Sequence, residues 1–418
     1  MILGIVSLHV HTDMSSTTYG SIKAPSSNRT LIIGAGIVGS SLAKCLSALS
    51  PSREVVVLDR SLSALLGSTG HAPGFVGQLN ELSTLTTLAK RSVKAYSDIE
   101  GGFDVVGGVE VAETAAGVEL LKARYQLALE AGLPAKEANA REAARLAPAF
   151  VDQRNIKSGL LFESDGTAKA EVITLANRQT ASASGARFLE ADVKSLELKN
   201  GTIAGVNTSL GFVPATDVVL TTGIWAASLL PSLSVIPVAH PYIHSKRRPA
   251  RPSSSPFVRF PESHTYIRDH GATDGLGSYA HAPIPVDVSS SQTAIDTWKP
   301  LFDNVLAKAF EVLPKVEDGG ASFAGGSAFN GVFSMTPDNL PFVGPIAGAP
   351  GLWCAVAIWV THAAGCAELL AKRIAGELLD DEDQGLLEAL RPDRFAGMPD
   401  GVLRERSLGL YNNIYNVK

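Results

Sequence analysis

The run Gly34-Ala35-Gly36-Ile37-Val38-Gly39 sets three glycines at GxGxxG spacing, whose chemistry is the binding of a dinucleotide pyrophosphate. Gly34 permits the tight turn, Gly36 lets backbone approach phosphate, and Gly39 lets a helix pack closely on a strand. Asp59 ends the next β-branched stretch, where a carboxylate can accept hydrogen bonds from ribose hydroxyls and disfavours a 2′-phosphate. Shortly after comes "GSTGHAPGF", a small-residue loop that carries His71 among Thr69, Gly70 and Ala72.

These residues need a strand–turn–helix–strand to position them, and the sequence supplies it. Residues 30–33 read as a buried strand, 40–49 show apolar residues at helical spacing, and 55–58 form a second β-branched strand. The helix N-terminus then faces the phosphates with its unpaired amides. This unit alone does not separate FAD from NAD. The segment 60–77 does: it lacks a prompt second βα repeat and offers a loop along which the long body of FAD can run.

Further along, helices are expected over 82–100, 115–131, 139–146, 171–184, 294–313 and 361–379. Strands are expected over 107–112, from 186–189 on through 193–206, and over 218–223, 256–259, 265–268 and 351–357. The strand 218–223 ends in a small-residue turn of the kind that lies beside a cofactor. The tail from Arg391 reads as a surface wrap.

Composition narrows the classes. A net charge of −5 gives no general attraction to nucleic acid or anionic lipid. The three cysteines, Cys45, Cys354 and Cys366, form no CxxC pair, which argues against a zinc ribbon or disulfide framework. No apolar run reaches the roughly 18 residues of a membrane span. The start lacks a basic flank and cleavage site, so an intracellular, cytoplasmic location is expected. His9, His11 and Asp13 alternate as in some metallohydrolases, but no second ligand cluster follows, so no metal is expected and residues 1–28 read as a flexible extension.

The motifs "LIIGAGIVGSSLA", "GSTGHAPGFVGQLN", "IPVAHPYI", "YIRDHG", "GSYAHAPIPVDV" and "FNGVFSMTPDNLPFVGP" run in order along most of the chain. With them the sequence resembles the D-amino-acid oxidase/glycine oxidase superfamily, and within it the dimethylglycine oxidase, dimethylglycine dehydrogenase and sarcosine dehydrogenase family. The resemblance implies an α/β fold: a Rossmann-type FAD-binding domain with an inserted mixed-sheet α+β substrate domain. It divides the chain into FAD-binding segments 29–85, 166–232 and 326–390, substrate segments 86–165 and 233–325, and a tail 391–418.

The same resemblance implies that His71 bonds covalently to the flavin, whose ring could approach the imidazole past its small neighbours. It places His240 and Tyr266 on the substrate side, where an imidazole and a phenol can position an amine and manage its proton. Tyr279 and His281 are expected to line the same cavity. Besides the fingerprint (Gly34, Gly36, Ile37, Val38, Gly39) and Asp59, the FAD contacts expected are Arg60, Ser68, Thr69, Val193, Thr222 and Gly223. Trp225, Gly331, Trp359, Thr361 and His362 complete them, the last near a helix N-terminus that favours negative charge on reduced flavin. The implied activity is oxidative demethylation of dimethylglycine or sarcosine, with O2 as acceptor and formaldehyde and H2O2 as products. Alternatives are a dehydrogenase using an electron carrier, an oxidase of another secondary amine, or a non-catalytic flavin-binding protein. The sequence stops at Lys418, so the folate-binding half of the long members is expected to be absent.

Overall fold

The computed structural model describes residues 22–24 and 26–413. Two sheets organise them. The first has six strands in the order Phe342–Pro345, Leu352–Val356, Asp217–Leu220, Arg29–Ile33, Glu54–Asp59, Arg187–Glu190. All neighbours are parallel except the first pair. The continuous apolar runs follow from burial on both faces, as in Arg29–Ile33, where all five residues are buried.

Helix Ile37–Leu49 packs against helices Ala170–Ala183 and Ala363–Ala375 to form the layer on one face. Gly39 makes that approach possible: a Cβ there would stand 1.9 Å from the Gly34 carbonyl oxygen. Helix Ala363–Ala375 stops at Gly376, whose φ of 77° is the left-handed cap that glycine adopts without strain.

The second sheet has nine strands and is mixed, with Phe257–Phe260 parallel to Gly108–Ala112 and the remaining pairs antiparallel. At its centre Ile236–His244 lies between Ser327–Met335 and Asp274–Ser278. The architecture is α/β, a mostly parallel six-stranded sheet beside a mixed nine-stranded one.

Several expected elements differ. The helix expected over 294–313 is shorter, Leu301–Glu311, because Pro300 sets its start and Ile295–Asp296 pairs with Gly331 and Asn330 instead. Residues 187–190 extend the parallel sheet beside Glu54–Asp59, not the antiparallel hairpin of 193–208. Helix Ser83–Ser97 packs on Ala363–Ala375 in the nucleotide layer, since Leu88 and Tyr96 complete that core. Strand Ser327–Met335 belongs to the nine-stranded sheet, pairing with Ile236–His244 over its whole length. The tail is not a surface wrap: helix Asp400–Gly409 docks Tyr411 into the interior at 0% exposure.

Candidate active site

One cavity of about 690 Å³ runs from the C-terminal ends of the parallel strands to the face of the nine-stranded sheet. Ile33, Leu58, Thr221 and Val356 line it at those strand ends, the place where open α/β sheets receive ligands.

At the nucleotide end, Gly34, Gly36, Ile37 and Val38 form the cavity wall. The helix they open has no side-chain cap from Gly36, so its first amides remain directed at the cavity mouth. One of them, Ile37 N, donates to Thr69 Oγ1 at 3.1 Å. Asp59 also borders the cavity; its carboxylate accepts the Ala35 amide at 2.6 Å and the Ser61 amide at 3.0 Å, which locks the turn. Arg178 completes the lock by donating to the Ala35 carbonyl at 2.6 Å and to the Leu62 carbonyl at 2.8 Å.

Thr222 Oγ1 is buried without a hydrogen-bond partner among the described residues, and Thr222 lies in the cavity wall. A buried hydroxyl in that condition asks for a polar ligand. With the glycine cradle and a helix terminus at which Thr69 takes only the Ile37 amide, it makes this end fit FAD. Arg60 caps the Trp225 ring at 4.2 Å, and Trp225 Nε1 donates to the Ser291 carbonyl at 3.1 Å, closing one flank. Ser68, Val193, Gly223, Gly331, Trp359, Thr361 and His362 also border the cavity. Burial pushes the His362 imidazole down to about 3, so it is neutral there. Gly39 does not reach the wall; it acts through packing, which corrects its expected place among the cofactor contacts.

His71 follows the single 3₁₀ turn Ser68–Gly70 and reaches the cavity half-buried, its ring 6.2 Å from that of Phe329. Burial lowers its pKa, an effect partly opposed by a hydrogen bond with the Leu66 backbone. The imidazole is therefore neutral, with a ring nitrogen lone pair available.

On the sheet side, period-2 alternation sends Val238, His240 and Tyr242 to one face of strand Ile236–His244. His240 lies opposite Gly331, and Tyr266 lies opposite Gly277. The glycine opposite Tyr266 has a purpose: a Cβ at 277 would stand 2.3 Å from the phenol oxygen. Tyr266 Oη and His240 Nε2 are 2.8 Å apart, and both residues border the cavity. Tyr279 and Phe333 close over the imidazole with ring centroids at 4.5 and 4.4 Å. His240 is 3% exposed, and burial, with His281 nearby, holds its pKa well below the usual histidine range. A neutral imidazole next to a phenol can accept a proton or align an amine.

Tyr279 lines the cavity as expected, but His281 does not. It sits behind, with Nε2 2.8 Å from the phenol oxygen of Tyr411, which is itself 2.8 Å from His240 Nδ1. Tyr411, outside every motif of the sequence, is a further site residue. Another is Arg259, which joins the cavity wall while pairing with buried Glu110 at 3.0 Å. Arginine on a strand between two phenylalanines carried no motif. Among the described residues no cluster of His, Cys, Asp or Glu could hold a metal, and no helix is long and apolar enough to cross a membrane. His9, His11 and Asp13 lie outside the described residues.

The profile of the FAD dependent oxidoreductase family (DAO) matches residues 29–373, and the chain belongs to that family. Its relatives include human dimethylglycine dehydrogenase, mitochondrial (Homo sapiens), 27% identical over 403 residues, 88% of this chain and 44% of that protein. Another is "4-methylaminobutanoate oxidase (formaldehyde-forming)" of Paenarthrobacter nicotinovorans, 27% identical over 330 residues, 75% of this chain and 39% of that protein. The chain thus spans less than half the length of these relatives. Among solved structures, L-proline dehydrogenase from P. horikoshii superposes with a TM-score of 0.76 at 21% identity, covering 89% of this chain and 98% of that one.

Proposed function

We propose that this chain is an FAD-dependent amine oxidoreductase that demethylates an N-methylated amino acid of the dimethylglycine or sarcosine type. The observation that carries the reading is the shared cavity, which joins the dinucleotide cradle at Gly34 and Gly36 to the His240–Tyr266 pair. The names of the human and Paenarthrobacter relatives support it. When bound, FAD would supply the two-electron acceptor for a hydride from the N-methyl carbon, with O2 proposed as the final acceptor, giving formaldehyde and H2O2.

The protein's part is to bind, orient and deprotonate. Gly34, Gly36 and the helix start would hold the pyrophosphate, Asp59 the ribose, and Thr222 a polar group of the cofactor. Tyr266 and His240 would hold the amine with its lone pair free. Tyr279, Phe333 and Trp359 exclude water from the reacting carbon. His71 is the proposed point of covalent attachment, since its neutral ring lies in the cavity wall beyond the fingerprint.

The test is anaerobic mixing of the purified yellow protein with dimethylglycine and sarcosine. Flavin bleaching with release of formaldehyde, and return of colour in air with peroxide, is the expected result. Bleaching that air does not reverse, but an artificial carrier does, selects a dehydrogenase. Bleaching by simple D-amino acids alone ends the demethylase reading, and a flavin that no amine bleaches selects a non-catalytic flavoprotein.

A further inference from the structure

Four hydrogen bonds run in series from the cavity wall to the Ala282 carbonyl, and their directions follow from one fixed end. His281 Nδ1 lies 2.8 Å from the Ala282 carbonyl, which can only accept, so Nδ1 carries the proton. Burial keeps His281 neutral, leaving Nε2 bare. The Tyr411 hydroxyl, 2.8 Å away, therefore donates to Nε2; its contact with the Ala239 carbonyl is longer, 3.2 Å. With its hydrogen so directed, Tyr411 Oη accepts from His240 Nδ1–H at 2.8 Å. His240 Nε2 is then bare and accepts the Tyr266 hydroxyl, also at 2.8 Å.

We propose that Tyr411 and His281, brought in by the tail and by the loop after residue 278, form a proton exit from the substrate cavity to solvent. The proposal rests on the amine oxidoreductase reading above. An amine arrives at neutral pH as an ammonium ion and cannot release hydride until it loses a proton. His240 is buried, and a cavity filled by cofactor and substrate admits no bulk water to carry that proton away. Along the chain, the ammonium N–H bond breaks as Tyr266 gains a proton and passes its own to His240 Nε2. His240 Nδ1–H passes to Tyr411, and the Tyr411 proton passes to His281 Nε2. His281 then gives its Nδ1 proton to solvent water beside Ala282, which returns it to the neutral form. Five bonds to hydrogen break and five form, with no change in oxidation state, and the positive charge moves from the substrate nitrogen to a hydronium ion in solvent.

His281 is itself buried, and it is the suitable terminus because its Nδ1–H is held by the carbonyl of Ala282, an exposed residue. Asn412 fixes the geometry by donating to the Tyr279 carbonyl at 2.5 Å and the His281 carbonyl at 2.8 Å, so the tail and loop are set against each other. The groups facing the chain are Phe75, Tyr242 and Tyr279 around Tyr266, with His270 hydrogen-bonded to Tyr242, Tyr279 and Phe333 around His240, Tyr279 beside Tyr411, and Phe302 against His281. The charged neighbours are Arg259, opposite Tyr266 on the adjoining strand, and its partner Glu110.

Two measurements test this. In protein labelled with 15N-histidine, both His240 and His281 should carry their proton on Nδ1, assigned by loss of each signal in His240→Asn and His281→Asn. A proton on Nε2 of His240 overturns the proposal whatever the substrate is. Second, Tyr411→Phe breaks the chain, and His281→Gln keeps an acceptor for Tyr411 but cannot pass a proton on. Both should slow amine-driven flavin reduction by about a hundredfold at pH 7, with rates returning toward wild type at a pH where the amine is already uncharged. Leu386→Ala, which truncates the nucleotide-side core away from the tail and the chain, should show no such pH-dependent recovery. A loss of rate equal at both pH values, or retention of full rate by Tyr411→Phe, overturns the proposal. If no amine reduces the wild-type flavin, the amine reading fails, and the nitrogen signals still decide the hydrogen-bond order.

Discussion

The Thr69 hydroxyl accepts the backbone amide of Ile37 at 3.1 Å, which fastens the loop that carries His71 to the first turn of the fingerprint helix. Two segments that bracket an extended cofactor are thereby held at a fixed separation. A threonine hydroxyl from a distant loop does here what an N-cap side chain does in an ordinary helix.

That link predicts that the proposed flavin attachment at His71 depends on both residues. Wild-type protein should keep its flavin after acid precipitation and show a fluorescent band on a denaturing gel. His71→Ala should release all of it on denaturation. Thr69→Val should lower stability by about 1 kcal/mol and leave part of the flavin unattached, because the loop loses its anchor. Flavin found wholly in the supernatant of wild-type protein rules out the bond while leaving FAD binding in place.

The 2.8 Å contact between His240 and Tyr266 predicts a kinetic effect separate from cofactor binding. His240→Ala and Tyr266→Phe should each slow flavin reduction by about 10²–10⁴-fold with the flavin still bound. Stopped-flow reduction under anaerobic conditions measures this directly. Rates within a few-fold of wild type in both variants would reduce the pair to a packing role.

Acid should destabilise the protein well before its carboxylates titrate. His240 and His362 are buried and His270 partly so, and all three are neutral, each with a pKa depressed by burial. In the unfolded chain they protonate near pH 6.5, so the unfolded state binds more protons below that value and stability falls as pH drops. Asp165 acts in the opposite sense: burial raises it to about 7, so its folded form gains a proton first. The histidines outnumber it, leaving a net loss of about 2 kcal/mol per pH unit between pH 6.5 and 5. Thermal midpoints measured across that window should fall steadily, and a flat profile would contradict the neutral burial of these imidazoles.

Much of the nucleotide side was legible because its information is local. A β-branched run, GAGIVG, a helical apolar spacing and a second run ending in Asp59 lie within about thirty residues. Steric need specifies each glycine, as the 1.9 Å approach at Gly39 shows. Two elements differ from the pattern, one for a local reason and one for a distant one. Pro300 blocked the longer helix, and the strand 187–190 found a parallel partner more than a hundred residues away.

The substrate side shows the limit. Sequence alone marked His71, His240, Tyr266, Tyr279 and His281 as separate motif residues, each able to do acid–base or binding chemistry. It did not determine that His281 stands behind the cavity, nor that Tyr411 bridges it to His240. Those positions depend on the register of Ile236–His244 against its neighbours and on the docking of helix Asp400–Gly409. Neither has a local signature, because each is fixed by apolar contacts summed over distant segments. A periodic pattern tells a residue which face to occupy; only the packed sheet and tail decide which hydroxyl meets which ring nitrogen.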